Sequence, residues 1–245
     1  AIDATITING TAETVKITRG KPFTAGPGAT IATLTTDGSG DILVQGATVD
    51  TITNNGSGAI KVEAANGKSP AVTTINNGEN GKDVNVTANK SNLNINNDSK
   101  TANLVVDFAN SGYTATITDN SAVMTAGTAT GNMTVKNTSG LVTLTNIGGA
   151  VVLENCSGNN VITNDAQNGD GAITLNGSYA ANLTNSNSTT ATVTTSGKAG
   201  IGTPTGTFTF KDINWNGESE TRNVSGNIYT AAQLAGLTES ATTQA

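Results

Sequence analysis

Histidine is absent from this chain, cysteine occurs once, and arginine appears only as Arg19 and Arg222. Each shortage excludes something. With no His and two Arg, few side chains could stabilise a developing transition-state charge. The lone Cys156 has no partner for an intrachain disulfide; in a strand it reads as a small buried hydrophobe. Aromatic residues make up 3% of the chain, and between residues 40 and 200 only Phe108, Tyr113 and Tyr179 could stack on a sugar ring. Lys and Arg number 12 against 18 acidic residues, a net charge of −6. No basic groove is available for a nucleic-acid backbone. No apolar run approaches the ~20 residues that span a bilayer.

The 18 carboxylates are scattered, and no pair recurs on one outward strand face, as glycoside hydrolysis across a cleft would need. The chain therefore reads as a non-enzyme with no cofactor. Two acidic turns, Asp37 to Asp41 and Asn164 to Gly171, offer oxygen ligands but lack the spacing of a known calcium loop. They read as turns that carry solubilising charge. The chain starts at Ala1 rather than Met, which we read as a processed end consistent with export.

What is present is Val, Ile, Thr, Asn and Gly. Charged residues are only 12% of the chain, whereas disordered chains are rich in charge and poor in strand formers. Aliphatic residues recur in pairs two apart: Ile42 and Val44, Ile60 and Val62, Val84 and Val86, Leu104 and Val106. Period two is the signature of a strand with one buried face. The pairs arrive about every ten residues, separated by turn formers. Every second pair defines a longer repeat of about 18 to 24 residues, the length of one solenoid coil. One column runs Ile52, Ile75, Ile95, Ile117, Val135, Leu153; the other runs Val44, Val62, Val86, Val106, Met124, Leu144.

Asparagine ends many of these runs. A residue two beyond an inward aliphatic also points inward. Along the first column that place holds Asn54, Asn77, Asn97, Asp119, Asn137 and Asn155; Asn146, Asn164 and Asn185 hold it along the second. Stacked about 4.8 Å apart, such amides can each donate to one neighbour and accept from another. They read as a structural ladder rather than as a binding site.

The expected fold is all-β: a parallel β-solenoid with coils of about 20 residues. Residues 40–200 form the repeat body. Residues 1–39 form an N-terminal cap, in which residues 4–8 and 13–18 flank an Asn9-Gly10 hairpin turn. Residues 201–245 form a C-terminal cap built on Phe208, Phe210, Trp215 and Tyr229, with a short helix from Thr230 to Leu237. The Φ-x-Φ-x-N template over about two-thirds of the chain resembles the right-handed parallel β-helices of adhesin and autotransporter-passenger surface proteins. That resemblance implies a right-handed coil and a cell-surface setting, and carries no catalytic motif.

The functional expectation is an extracellular structural protein, a subunit that assembles with copies of itself into a surface filament or layer, possible through addition of its N-terminal strand. A monomeric adhesin or phage-fibre module is the alternative. A second alternative is ice binding by a Thr-x-Thr face. Outward pairs such as Thr51/Thr53 and Thr143/Thr145 suit it, but Lys136 and Glu154 interrupt the array.

Overall fold

The structure, a computed structural model, describes residues 5–99, 101–119, 132–146, 149–164, 172–186, 191–196, 199–215 and 218–225. Among them, strands and no helix form two sheets, one of twelve strands and one of ten. Consecutive strands alternate between the sheets, so each coil gives one strand to each. The strands from Ile42–Gln45 through Gly200–Thr205 make about eight turns of a parallel β-solenoid. The first sheet begins at Ile6–Ile8 and the second at Thr11–Ile17.

Period two produces this directly. In Ile42–Gln45 the residues alternate buried and half-buried, and in Ile60–Glu63, one coil on, Ile60 and Val62 are again buried, alternating with an exposed Lys61 and a half-buried Glu63. The register stacks like on like: Ile42 on Ile60 and Val44 on Val62 in the first sheet, Ile52 on Ile75 in the second. Ile52, Ile75, Ile95 and Ile117 are fully buried. Burying each such side chain stabilises the fold by about 1.5–3 kcal/mol.

Four expectations need correction. Past residue 119 the two aliphatic columns exchange sheets. Val106 pairs with Val135, not with the Met124 position, and Ile117 pairs with Leu144. The cause is the segment 120–131, which lies outside the described residues. Its Ala122 and Met124 imitate a strand pair at the expected spacing, so counting it shifts every later strand to the wrong sheet. Secondly, the described residues 5–18 contain no hairpin. Ile6–Ile8 pairs in parallel with Phe23–Ala25, and Thr11–Ile17 pairs in parallel with Thr30–Thr36. Asn9 and Gly10 therefore turn the chain from one sheet to the other instead of folding it back.

Thirdly, the coils overrun residues 40–200 at both ends. Phe208 and Phe210 take register positions beside Ala191 and Val193, on a strand that still runs parallel to its neighbour. Among the described strands only Glu218–Ser225 reverses direction, closing the first sheet with an antiparallel strand. Tyr229 and the helix expected over 230–237 lie outside the described residues. The fourth correction concerns Asn137 and Asn155, taken up below.

The corners explain where Gly and Asn fall. At the downstream end of first-sheet strands, Gly46, Ala88, Ala109, Asn137, Asn155 and Gly177 all have φ between 53° and 58°. This left-handed turn suits Gly and Asn and costs other L-residues roughly 1–2 kcal/mol. On the opposite corner, turns stack so closely that a Cβ on Gly56 would lie 1.7 Å from the Gly38 carbonyl oxygen.

Two predictions follow from register and corner geometry. Ile117→Asp should cost about 3–5 kcal/mol, while Thr116→Asp, one residue away and exposed, should cost under about 1 kcal/mol. Equal melting temperatures would refute the register. Ala88→Gly should raise stability by about 0.5–1 kcal/mol, relief of the left-handed strain exceeding the entropy that glycine loses on folding. Denaturant unfolding reads that difference.

Candidate functional site

A column of polar residues drawn into the solenoid interior stands at one corner, where second-sheet strands end. Thr36, Asn54, Asn77 and Asn97 stand in register there. Backbone register carries the column on through Asp119, Asn146, Asn164 and Asn185. Because the sheets exchange past residue 119, the asparagines expected on two columns share this one. Asn54, Asn77, Asn97 and Asn164 are buried, and Asn185 is 5% exposed.

Each amide has two jobs. Asn54 Nδ2 donates to Asn77 Oδ1 at 3.0 Å and Asn77 Nδ2 to Asn97 Oδ1 at 2.9 Å. Farther along, Asn164 Nδ2 donates to Asn185 Oδ1 at 3.1 Å. The amide nitrogens also donate within their own turns: Asn54 to the Gly58 carbonyl (2.8 Å), Asn77 to that of Lys82 (3.0 Å) and Asn97 to that of Ser99 (3.0 Å). Those carbonyls sit at the turns where the backbone leaves the sheet, and the Gly58 carbonyl also accepts from the Lys82 N–H at 3.2 Å. The amides satisfy them inside the protein, where an unpaired group costs about 1–3 kcal/mol.

Asn137 and Asn155 do not join this column. Asn137 is half-buried and Asn155 exposed, because the left-handed backbone at each turns its side chain out of the period-two alternation. The next residues, Thr138 and Cys156, are buried instead. The two asparagines form a separate surface ladder: Asn155 Nδ2 donates to Asn137 Oδ1 at 3.1 Å, and Asn137 Nδ2 donates to Asp107 Oδ1 at 3.0 Å.

Two further buried asparagines escape the template because they lie off the Φ-x-Φ-x-N frame. Asn89 holds both backbone groups of Val72, accepting from its N–H at 2.8 Å and donating to its carbonyl at 3.0 Å. Asn160 accepts from the Val142 N–H at 3.0 Å and donates to the Cys156 carbonyl at 2.9 Å. Their sequence sign is their place at or before the start of a second-sheet strand: Asn160 opens Asn160–Asn164, and Asn89 precedes Leu93–Asn97. A third brace precedes first-sheet strands. There Asp41, Asp83, Asn103 and Asn132 each accept an N–H from the following coil, at 2.8 to 3.3 Å.

The acidic turn at Asp37 is committed in the same way. Asp37 Oδ1 accepts from Asn55 Nδ2 at 2.9 Å, and Lys16 Nζ lies 3.2 Å from Oδ2. The Asn55 amide foremost, then Lys16, holds this carboxyl below its ordinary range. Donors thus face both oxygens where a cation would need them, and Asp41 is taken by the Ala59 N–H. Among the described residues no group of three metal-ligating side chains occurs; residues 165–171 of the other acidic turn lie outside them. Cys156 is fully buried, and burial pushes its thiol up to about 11, far from the thiolate a nucleophile needs.

The charged residues that interrupted the threonine array belong to the other face. Lys136 is in register with Glu154 on the first sheet, their charged groups 2.8 Å apart. The carboxylate beside it raises the Lys136 ammonium above its usual value. Lys61 and Glu63, also on the first sheet, pair at 2.7 Å. None of these stands on the second sheet.

Asn77→Ala removes a buried rung that both accepts and donates, and should lower stability by about 2–3 kcal/mol. Asn155→Gly, which removes an exposed rung at a left-handed position that glycine adopts freely, should lower it by about 1 kcal/mol or less. Thermal and urea melts compare the two; equal losses would refute the separation into a buried and a surface ladder.

Against known proteins the chain matches no family model, no curated protein and no solved structure, so its likeness to adhesin and autotransporter passengers stops at the shared parallel β-solenoid.

Proposed function

We propose that this chain is a non-enzymatic building block of an extracellular filament or surface layer, joined to copies of itself through its N-terminal coil. One observation carries the reading. Ile6 and Ile8 stand in register with Phe23 and Ala25, and Ala12 and Val15 with Ile31 and Leu34. The second member of each pair is buried, whereas Ile6 is 43% exposed and Ile8, Ala12 and Val15 are only partly covered. Among the described residues nothing packs over them.

An uncovered coil presents more than apolar surface. The Ile6 N–H donates to the Pro22 carbonyl and the Ile8 carbonyl accepts from Gly26, so Ile6 and Ile8 face their own solenoid. Strand alternation then aims the N–H and C=O of Thr7 at the open side. Open edges of this kind recruit another strand unless charge or proline blunts them. The described residues of Ile6–Ile8 include neither. A strand from a second copy would extend the sheet, and repeating that head-to-tail contact without closing a ring gives a fibre. The stacked polar corners supply stiffness, and among the described side chains the interior is committed to packing.

A second reading, a monomeric adhesin, draws on the segment 120–132, where the connection between Ala115–Asp119 and Met133–Thr138 far exceeds its neighbours. An adhesin concentrates such length differences on one side.

Thr7→Pro removes the outward N–H while keeping every bond of Ile6 and Ile8 to the next coil. The variant should melt within a few degrees of the parent but form far fewer polymers by electron microscopy and sedimentation. Polymers unchanged by Thr7→Pro would show that this edge is not the joint. A parent chain that stays monomeric at high concentration would favour the adhesin instead.

A further inference from the structure

Once the columns are assigned to their true sheets, the two outer faces of the solenoid differ in kind. The first sheet displays Lys61, Glu63, Asp107, Lys136 and Glu154. The second, from Thr30–Thr36 through Tyr179–Asn185, displays two files of outward residues flanking the central aliphatic of each strand. One file starts Thr33, Thr51, Thr74; the other starts Thr35, Thr53, Asn76. They continue in register past Thr116/Thr118 and Thr143/Thr145 to Asn182/Thr184. Every position in both files is Thr or Asn except Val161, which has the shape of Thr. No charge stands in either file along these strands; Lys16, one coil before them, is in register with Thr35 and ends the second file, and Asp50 is at the margin, one residue outside Thr51.

We infer that this face binds crystalline water, the surface of ice. The argument is geometric and chemical, and is independent of how copies of the chain join. Neighbouring strands repeat about every 4.8 Å and alternate residues along a strand about every 6.7 Å. The outward hydroxyls and methyls are therefore set out as a two-dimensional lattice on the scale of the oxygen repeats in ice. Side-chain ladders keep stacked sheets from twisting, and the face has its own ladder. Asn96 Nδ2 donates to Asn76 Oδ1 at 2.9 Å, and Asn76 Nδ2 reaches Thr53 Oγ1 at 3.5 Å.

Threonine couples a hydroxyl that can join a water lattice to a methyl that excludes disordered water. A charge would impose its own hydration and break that lattice, and the files contain none. Other occupants fit less well. A polysaccharide surface calls for stacking aromatics, which the files lack. A dry interface with another protein calls for a core of apolar and aromatic side chains. Strand propensity alone favours Thr equally on both sheets, so it does not account for uncharged files running from Thr33 and Thr35 to Asn182 and Thr184 on one sheet while charges recur along the other.

The test uses the intact chain and three variants: Thr118→Lys and Thr145→Lys at the centre of the array, and Thr134→Lys on the outward face of the first sheet. Circular dichroism and melting establish that all are folded. The parent should partition into growing ice, shape single crystals and inhibit recrystallisation. The two central variants should need about tenfold more protein for the same inhibition, because a lysine head group must be stripped of water at the contact, while Thr134→Lys should match the parent. A folded parent that neither enters nor shapes ice overturns the inference. So do central variants as active as the parent. Loss of self-association in those variants, with no ice activity in the parent, would overturn it as well and identify the face as a contact between copies.

Discussion

Every coil of this solenoid hydrogen-bonds to the coils on either side and to little else, and the rest of the structure depends on that constraint. Parallel strands stacked about 4.8 Å apart place identical positions directly above one another. A residue type that suits one coil then suits all of them, and a mismatch is felt by two neighbours. Aliphatics therefore pile on aliphatics at Ile52, Ile75 and Ile95, and amides on amides at Asn54, Asn77 and Asn97. The same stacking makes Gly56 obligatory, since its Cβ would strike the carbonyl of the turn beneath.

The corners are where stacking is hardest to maintain, because the chain leaves one sheet before entering the other. Four devices hold them: a left-handed residue, a buried amide that satisfies stray carbonyls, an Asp or Asn that accepts an N–H from the next coil, and glycines that let turns approach. Charge plays a small part. The three ion pairs described, Lys16–Asp37, Lys61–Glu63 and Lys136–Glu154, are at the surface, where such pairs contribute little. Stability rests on apolar stacking and satisfied amides instead, which leaves the outward files of the second sheet free of charge from Thr33 and Thr35 to Asn182 and Thr184.

Legibility followed the range of the interaction. The buried alternation at Ile42 and Val44 and the amide at Asn77 answer to a rule two residues long, and both are visible in the chain. The inward reading of Asn137 and Asn155 failed because the same residue type serves two backbone conformations. Asparagine is chosen inside the solenoid for its amide and at the surface corner for its tolerance of positive φ, and composition does not separate the two. Asn89 and Asn160 were hidden for a related reason: their partners, Val72 and Val142, sit a coil away, 17 and 18 residues back.

By itself the sequence determined the all-β class, the coil length and the identity of the buried aliphatics, because period two and the spacing of turn formers are local and repeated. Only the tertiary structure decided which strands share a sheet. A segment of coil-like composition at 120–131 keeps the period while shifting the phase, and phase is fixed by pairing between strands, as of Ile117 with Leu144, not by either strand alone. That one assignment moved Lys136 and Glu154 to the first sheet and joined the threonines and asparagines of the second into a single face. A face is a property of neighbouring coils, and no coil carries it in its own residues.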